Sequence, residues 1–588
     1  MGNATKIKKI YEKCKRAKVV SFDIFGTLVV RDIVDPDDIF VIADRKKSEK
    51  NISLKDCNRN ELLECELSLD HPNENMIALL TRLKSEHKTV ILTSDMYLNE
   101  QALKEVLNHV GIKYKEYYDK IFVSCDYGCT KKNGGLYKKI KELYKVEYSE
   151  IVHIGDALRS DFLMPTILGI KAVWIKPEYY GTCSIYRKKD ISNLNRFITN
   201  HTKDKCYEYN VGYKYFGPLL YGFALWLDEH IPHDGKKVYF LAREGYTFLK
   251  ALEKMGLKRE CMHYLLVSRR SINNALLWTN KDATSMILNL GIDREISYEK
   301  ILNLLNITDK PEKKLLETMY RSSKEIIEDT EAYEFISEKF EQIVIDSKKQ
   351  YEMMKCYFES MDFNGESDCI IVDVGWAGTM QQCLNRYLKT IKSTKRVKGL
   401  YLGVHTNNYH DDDKEGFLFD GDSVKKQKEI FSFVGMLESF LSEQIGSVRQ
   451  YCSKDGRYEA ERCSYEYDDM GKVKISQVQE GMLAFVEDMF ESDLKEIMHF
   501  DSVLSKFNLI SYGNNPGRKD LNFYRALNYK DDSYNLKSEV GLKKLSVRDL
   551  KNGIMNSIWK TAYLKSIFGI WFPAKCLYDL IYELKKNK

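Results

Sequence analysis

Four short stretches carry side chains that together could move a phosphoryl group. Asp23-Ile24-Phe25-Gly26-Thr27-Leu28 follows the apolar run Val19–Phe22, and Ser94 follows Val90–Thr93. Lys131 stands in Cys129–Gly134, downstream of Lys120–Val123, and Gly155-Asp156, with Ser160-Asp161 beyond it, follows Glu150–Ile154. A carboxylate can attack phosphorus and give an aspartyl-phosphate. A hydroxyl and an ammonium can hold the transferring oxygens, where negative charge must be stabilised. Further carboxylates suit Mg2+, a hard ion that takes oxygen ligands. A lone Asp or Ser after a strand is ordinarily a helix cap. Four pieces in order, each after its own apolar run, point instead to one shared site.

Such pieces meet only where a sheet collects strand ends. Parallel strands do so, because their carboxyl ends open onto one crevice. A further run of the same kind is Lys171–Ile175, and helical patterns such as Met76–Glu86 and Gln101–Val110 separate the runs. The alternation predicts a doubly wound α/β domain over residues 1–180. Residues 36–75 interrupt it with a charged, helical pattern, as a small cap would. Residues 177–204 are polar and irregular and read as a linker.

In residue type and chain order the set resembles the haloacid dehalogenase (HAD) superfamily. The resemblance implies a Rossmann-like domain in which Asp23, Ser94, Lys131 and Asp156 are catalytic. Asp23 is then the nucleophile, Ser94 the phosphate-binding hydroxyl and Lys131 the charge neutraliser, with Lys132 as second choice. Thr27 joins the phosphate contacts. Mg2+ is held by Asp23, the backbone carbonyl of Phe25, Asp156 and Asp161. One departure stands out. Phosphatases of the superfamily usually carry a second Asp two residues after the nucleophile, as general acid and base, and here that position is Phe25. Such a group contributes ~10²–10⁴-fold in rate. Three readings follow: a phosphatase with its donor elsewhere, another reaction of the superfamily, or a domain that binds without turnover.

A second α/β pattern begins near residue 205, with strands expected at Lys237–Leu241, His263–Val267, Cys369–Val372 and Gly399–Val404. The first runs into Ala242-Arg243-Glu244-Gly245-Tyr246, the second into Ser268-Arg269-Arg270-Ser271, and the third into Asp373-Val374-Gly375-Trp376-Ala377-Gly378-Thr379-Met380. A Gly-rich turn with Thr at a helix start presents N–H groups suited to phosphate. Asp373 could accept from ribose hydroxyls, while Arg243 beside Glu244 and Gly245 could meet pyrophosphate closely. Arg269 and Arg270 add two guanidiniums. Together the loops resemble a type I phosphoribosyltransferase over residues 205–450, with a Lys- and Glu-rich helical insertion at 272–365. The match is partial, since that family's later loop usually carries two adjacent acids and Asp373 is followed by Val374. The resemblance implies a phosphoribosyl pyrophosphate site formed by Arg243, Glu244, Gly245, Arg269, Arg270, Asp373, Gly375, Gly378 and Thr379. The aromatic stretches Gly416–Gly421 and Leu437–Ser442 follow it, and no role is assigned to them.

The whole layout is similar to bacterial surface-polysaccharide proteins that begin FDIFDTL and later carry SDMYL, LAREG and DxGWxG. The counterparts are Phe22–Leu28, Ser94–Leu98, Leu241–Gly245 and Asp373–Gly378, with Gly26 in place of that group's Asp. This similarity implies a bifunctional enzyme of capsule or surface polysaccharide synthesis. The second domain would transfer ribofuranosyl 5-phosphate from phosphoribosyl pyrophosphate to a glycan acceptor, and the first would remove the 5-phosphate. Two rivals are a plain phosphatase whose second half recognises substrate, and a non-catalytic scaffold of a polysaccharide assembly complex.

Composition agrees with a globular protein and sets outer bounds. At 588 residues the chain is too long for one core. A net charge of only +5 calls for no nucleic-acid partner. The 14 cysteines are scattered without a CxxC, and the Lys-rich N-terminus shows no signal-peptide pattern, so reduced thiols in the cytoplasm are expected. Lys6 stands where a myristoylation signal wants Ser or Thr. No apolar run approaches the ~18–20 residues of a membrane span. Residues 475–588 read as helical. From Ile554 to Leu584, Trp559, Phe568, Trp571 and Phe572 mix with Lys560, Lys565 and Lys575. That tail is either a packed helical pair or a basic amphipathic surface on the inner face of a membrane, where a lipid-linked glycan would sit.

Overall fold

The computed structural model of the protein describes residues 3–49, 59–176, 188–290, 292, 295–405, 413–421, 424–527, 553–554 and 557–586. They form two compact units, one of residues 1–205 with 488–499 and one of 206–487 with 500–588.

The first unit is built on strands β1 (Val19–Phe22), β4 (Thr89–Ser94), β5 (Lys120–Val123), β6 (Ile151–Gly155) and β7 (Lys171–Trp174). They lie in the order β5-β4-β1-β6-β7, and every neighbouring pair is parallel. All four residues of central β1 are buried. A parallel strand covered on both faces must be apolar throughout, which is why these strands read as unbroken hydrophobic runs. Val20 and Phe22 pack with Leu79, Leu80, Leu103 and Leu107 in one core cluster, and Val19 packs with Ile91, Leu136 and Ile140 in another. That is the alternation of a strand with helices on both faces.

Two short strands, β2 (Val29–Arg31) and β3 (Asp70–Pro72), pair antiparallel with Arg31 opposite Asp70. Between them lie the helices Asp38–Glu49 and Arg59–Leu69; residues 50–58 of the expected cap lie outside the described residues. Arg31 is held by Glu66, its Nε and Nη2 donating at 2.8 and 2.7 Å, and the Glu66 side chain is fully buried.

The expected linker is partly wrong. Residues 177–187 lie outside the described residues, but Lys188–His201 is a helix of this unit. Ile191, Leu194, Phe197 and Ile198 form its buried stripe, and the Asn193 side chain accepts from Val34 N at 2.8 Å. Residues 488–499 also return here, where Asp493 binds the Lys46 ammonium at 2.7 Å and the Ser68 hydroxyl at 2.7 Å.

The second unit has its own parallel sheet of β8 (Val238–Leu241), β9 (Met262–Leu265), β12 (Cys369–Trp376), β13 (Val397–Val404) and β14 (Lys414–Gly416), in the order β14-β13-β12-β8-β9. Strand β12 runs four residues beyond the expected end at Val372, so Asp373 and Gly375 sit on a strand and not in a loop. Pairing with β13 carries it on, with Asp373 opposite Tyr401 and Gly375 opposite Gly403. Gly375 and Trp376 then take φ values of +92° and +54°, which turns the chain before the helix Thr379–Thr390.

Between β9 and β12 lies a mostly helical stretch. It carries the small ribbon β10 (Ile296–Ser297) and β11 (Met319–Tyr320) and a core of its own that includes Met286, Tyr298, Ile301 and Ile336. The hairpin of β15 (Val448–Lys454) and β16 (Arg457–Arg462) follows the sheet. In the tail, Trp559 is fully buried with Nε1 donating to Gly513 O at 2.7 Å, and Lys565 is buried. These two residues belong to packing and not to a membrane face, whereas Phe568 and Trp571 are exposed. No described helix is long and apolar enough to cross a membrane.

Replacing Glu66 by Ala removes the carboxylate that accepts both Arg31 hydrogen bonds and leaves the buried guanidinium only Asp70, at 3.8 Å. Loss of one partner of a buried pair costs about 3–5 kcal/mol. Denaturant titration of the full chain should show the first unit unfolding earlier by that amount; an unchanged transition would contradict the buried-pair account.

Candidate functional site

The carboxyl edge of the first sheet collects the expected residues. Asp23 follows β1 directly, and its backbone N–H donates to Ile154 O of β6 at 2.8 Å. Ser94 ends β4, the neighbour of β1, with Leu92 opposite Phe22. Both side chains are buried. Lys131 arrives from the loop after β5, and its ammonium bridges Asp23 Oδ1 and Asp161 Oδ1, the latter at 2.7 Å. Lys132 is exposed, so of the two lysines Lys131 is the one inside. Asp23, Asp156 and Asp161 each offer a carboxylate oxygen within 4.8 Å of the others. Thr27 Oγ1 donates weakly to Asp23 Oδ2 at 3.4 Å.

Local backbone geometry makes this convergence possible. Gly26 has φ +79°, and a Cβ there would lie 2.1 Å from Asp156 Oδ2. Only glycine leaves room for that carboxylate at a left-handed position. A Cβ on Gly155 would lie 2.5 Å from the Asp161 side chain. Phe25 turns away from proton chemistry: its ring lies under the Arg31 guanidinium, with Cζ 3.8 Å from the ring centroid.

Two positioning residues escaped the sequence reading. The Asp95 carboxylate accepts from the backbone N–H of Lys131 at 2.7 Å and of Lys132 at 3.3 Å, which fixes the lysine loop. His153, fully buried on β6, donates to Asp161 Oδ1 at 3.2 Å through Nε2, while Nδ1 meets Ser21 Oγ at 2.9 Å. Ser21 in turn contacts Thr93 Oγ1 at 2.7 Å, so the chain of bonds reaches from β4 through β1 to β6. His153 lies inside an apolar run and carries no motif signal.

Charge in this pocket is unbalanced. Burial pushes Asp23 up to about 8, with Lys131 opposing and Asp161 and Asp156 adding to the shift. Burial and Asp161 raise Asp156 to about 6. Burial would raise Asp161 too, yet the Lys131 ammonium and the His153 hydrogen bond hold it well below the usual carboxylate range. Three carboxylates face one ammonium, so the pocket has room for one more positive charge. An all-oxygen donor set of this kind suits a hard divalent cation.

In the second unit the strand ends gather a different group. Burial raises Asp373 to about 7, with Glu244 and Glu438 adding to the shift and Arg269 opposing it. Glu438 is likewise raised to about 7 by burial and Glu244. Trp376 Nε1 donates to Glu438 Oε1 at 2.6 Å, and Ser442 Oγ donates to Glu244 Oε1 at 2.8 Å. Asp373, Glu244, Glu438 and Arg269 therefore lie near enough for their charges to act on one another. Arg243 pairs with Glu466. Arg270 heads the same helix as Arg269, with Nη2 donating to Asn303 O at 3.4 Å. Gly245 packs against the Phe240 backbone, where a Cβ would lie 2.7 Å from the carbonyl carbon. Gly378, φ +66°, caps the helix that begins at Thr379, and a Cβ there would lie 2.6 Å from Lys414 Cε. Glu438 and Lys414 were not assigned from sequence, because each comes from a segment far along the chain and follows no phosphate-loop pattern.

A haloacid dehalogenase-like hydrolase family profile matches residues 41–165. The matched stretch starts after Asp23 and contains Ser94, Lys131, Asp156 and Asp161. No curated protein matches the chain. Among solved structures, a HAD family enzyme from Bacteroides thetaiotaomicron in complex with magnesium and inorganic phosphate is 17% identical, covering 28% of this chain and 98% of its own, with a TM-score of 0.23. A HAD phosphatase from Thermococcus onnurineus is 20% identical, covering 29% of this chain and 90% of its own, also with a TM-score of 0.23. By the family match, the first unit carries a haloacid dehalogenase-like hydrolase domain.

Proposed function

We propose that the chain is a bifunctional enzyme of surface polysaccharide synthesis, in which the second unit transfers ribofuranosyl 5-phosphate from phosphoribosyl pyrophosphate to a glycan and the first unit removes the 5-phosphate. The observation that carries the hydrolytic half is the Lys131 ammonium shared by Asp23 and Asp161 at the carboxyl edge of a parallel sheet.

In the first unit an Asp23 oxygen attacks phosphorus, and the bond from phosphorus to the ribose 5-oxygen breaks. The electron pair stays on that oxygen, which takes up a proton. Water then attacks the aspartyl-phosphate, releasing inorganic phosphate and restoring Asp23. Lys131 opposes the upward shift that burial gives Asp23 and lies beside the transferring oxygens, and Ser94 donates to them. Asp161 and His153 hold Lys131 in place. Mg2+ held by Asp23, Asp156 and Asp161, with the Phe25 carbonyl, would neutralise the surplus carboxylate charge and polarise the phosphoryl group. Phe25 offers no proton, so the ribose 5-oxygen takes its proton from water or from another side chain.

In the second unit Asp373 orients the ribose, and the N–H groups at Gly378 and Thr379, with Lys414 beside them, receive its 5-phosphate. Arg269 and Arg243 face the pyrophosphate. The excess of carboxylates around Arg269 suits a substrate that arrives with divalent cations. Phe568 and Trp571 are the exposed aromatics with which the tail would touch a lipid-linked acceptor at the cytoplasmic face of a membrane. A second reading, in which this unit only recognises the substrate of the first, is favoured by the engagement of Arg243 with Glu466. Purified protein, phosphoribosyl pyrophosphate and a glycan acceptor separate the two. Pyrophosphate release dependent on the acceptor supports transfer, whereas phosphate release without it leaves the recognition reading.

Three outcomes are expected. Asp23→Asn should lower phosphate release from sugar phosphates by at least about a thousandfold, as removal of a nucleophile does elsewhere; near-normal turnover would exclude Asp23 as nucleophile. Chelation should abolish phosphate release and added Mg2+ should restore it, with persistence in chelator counting against the carboxylate trio as a cation site. The third concerns Asp373 and Glu438, each raised to about 7. Between the ordinary carboxylate value of about 4 and that raised value, the unfolded chain binds fewer protons than the folded one, so stability falls as pH rises through this window. Denaturant titrations at several pH values should show the fall, and Asp373→Asn should flatten it; an identical slope in the variant would refute the assignment.

A further inference from the structure

The base of the insertion in the first unit contains a polar cluster that the phosphoryl chemistry does not use. Asp32 follows β2, His71 lies on β3, and His201 ends the helix Lys188–His201. One carboxylate oxygen and one ring nitrogen from each histidine all lie within 4.8 Å of one another. We propose that these three residues form a second cation site, suited to a first-row transition ion such as Zn2+ and not to Mg2+.

The donors are pre-oriented in the manner metal-binding side chains require. Asp32 is fully buried; its Oδ1 accepts from Asn200 Nδ2 at 2.8 Å, and its Oδ2 lies 2.9 Å from His71 Nε2. Two donors on one tetrahedral ion at ~2.0–2.2 Å stand ~3.3–3.6 Å apart, so the Asp32–His71 contact is a hydrogen bond that an incoming ion would open by about half an ångström. His201 Nδ1 lies 2.8 Å from Phe197 O, and a carbonyl can only accept, so the proton sits on Nδ1 and the lone pair on Nε2. A backbone carbonyl is a common outer partner of a metal-bound histidine. The Phe197 ring lies tilted 4.0 Å from the His201 ring, and the His71 ring stands edge-on to His201 at 4.7 Å, which limits ring rotation. The His71 side chain is 20% exposed, which gives an ion a way in.

The donor chemistry separates this cluster from the catalytic pocket. Asp23, Asp156 and Asp161 present oxygen alone, whereas two imidazoles and one carboxylate suit Zn2+, Co2+ or Fe2+. An ion here would tie both crossings of the insertion to the helix that follows the sheet. It would brace the base of the insertion without entering the phosphoryl site.

The test uses the full chain, stripped with chelator and kept in excess Mg2+ so that oxygen sites stay filled. Co2+ should bind to one saturable equivalent with visible d–d absorption and without the thiolate charge-transfer band that cysteine ligation would add. Zn2+ should displace it. His71→Ala and His201→Gln should each weaken Co2+ binding by more than about tenfold, while Asp23→Asn should bind it as the unaltered chain does. Zn2+ should also raise the thermal midpoint of the unaltered chain and leave that of His201→Gln unmoved. No saturable band, a thiolate-type spectrum, or binding by both histidine variants as tight as that of the unaltered chain would overturn the proposal. Should a histidine variant fail to fold by circular dichroism, competition on the unaltered chain decides: displacement by Zn2+ supports the site, and failure of Zn2+ to displace sinks it.

Discussion

A buried ammonium set between two carboxylates is the interaction on which the first unit is organised. Taking such charges out of water costs several kcal/mol per ion unless partners are close and well aligned. Lys131 meets that demand only because β1 and β6 are adjacent and parallel, which brings Asp23 and Asp161 to the same edge. The rest of the pocket follows from keeping those two carboxylates near the lysine. Gly26 and Gly155 are bare where a Cβ would strike Asp156 or Asp161. Buried His153 is a further donor to Asp161 beside Lys131 and the Ala157 N–H, and Asp95 anchors the loop that delivers the lysine.

The second unit has the opposite balance. Burial raises Asp373 and Glu438, the Glu244 charge adds to both shifts, and Arg269 opposes them. A pocket with such an acidic surplus accepts cations, or anions escorted by cations, more readily than bare anions. The trio is also where β12 outruns its apolar stretch, so the feature that hides the strand end from pattern reading is the one that carries the polar groups.

Much of the first sheet was legible because buried parallel strands are continuous apolar words with polar residues directly after them. The runs ending at Phe22, Thr93, Val123 and Ile154 each sit in a strand of the central sheet. What stayed hidden was set by contacts between distant segments. The extension of β12 through Asp373-Val374-Gly375-Trp376 depends on pairing with β13, which no local pattern announces. The helix Lys188–His201 is masked by charged residues around its stripe of Ile191, Leu194, Phe197 and Ile198. His153 and Glu438 matter through partners at a distance in the chain, Asp161 and Ser21 for the first and Trp376 for the second. The absence of an acid at Phe25 was plain in the sequence, whereas the contact of its ring with the Arg31 guanidinium was not.

The return of residues 488–499 to the first unit bears on biosynthesis. That unit lacks the Asp493 partner of Lys46 and Ser68 until roughly 290 further residues have been translated after residue 205. Synthesis at ~5–20 residues per second puts roughly 15 to 60 s between the emergence of residue 205 and that of Asp493. For that interval the ribosome carries a nascent hydrolase domain with its sheet complete and one flank open, and any chaperone that shields the flank has that time in which to act.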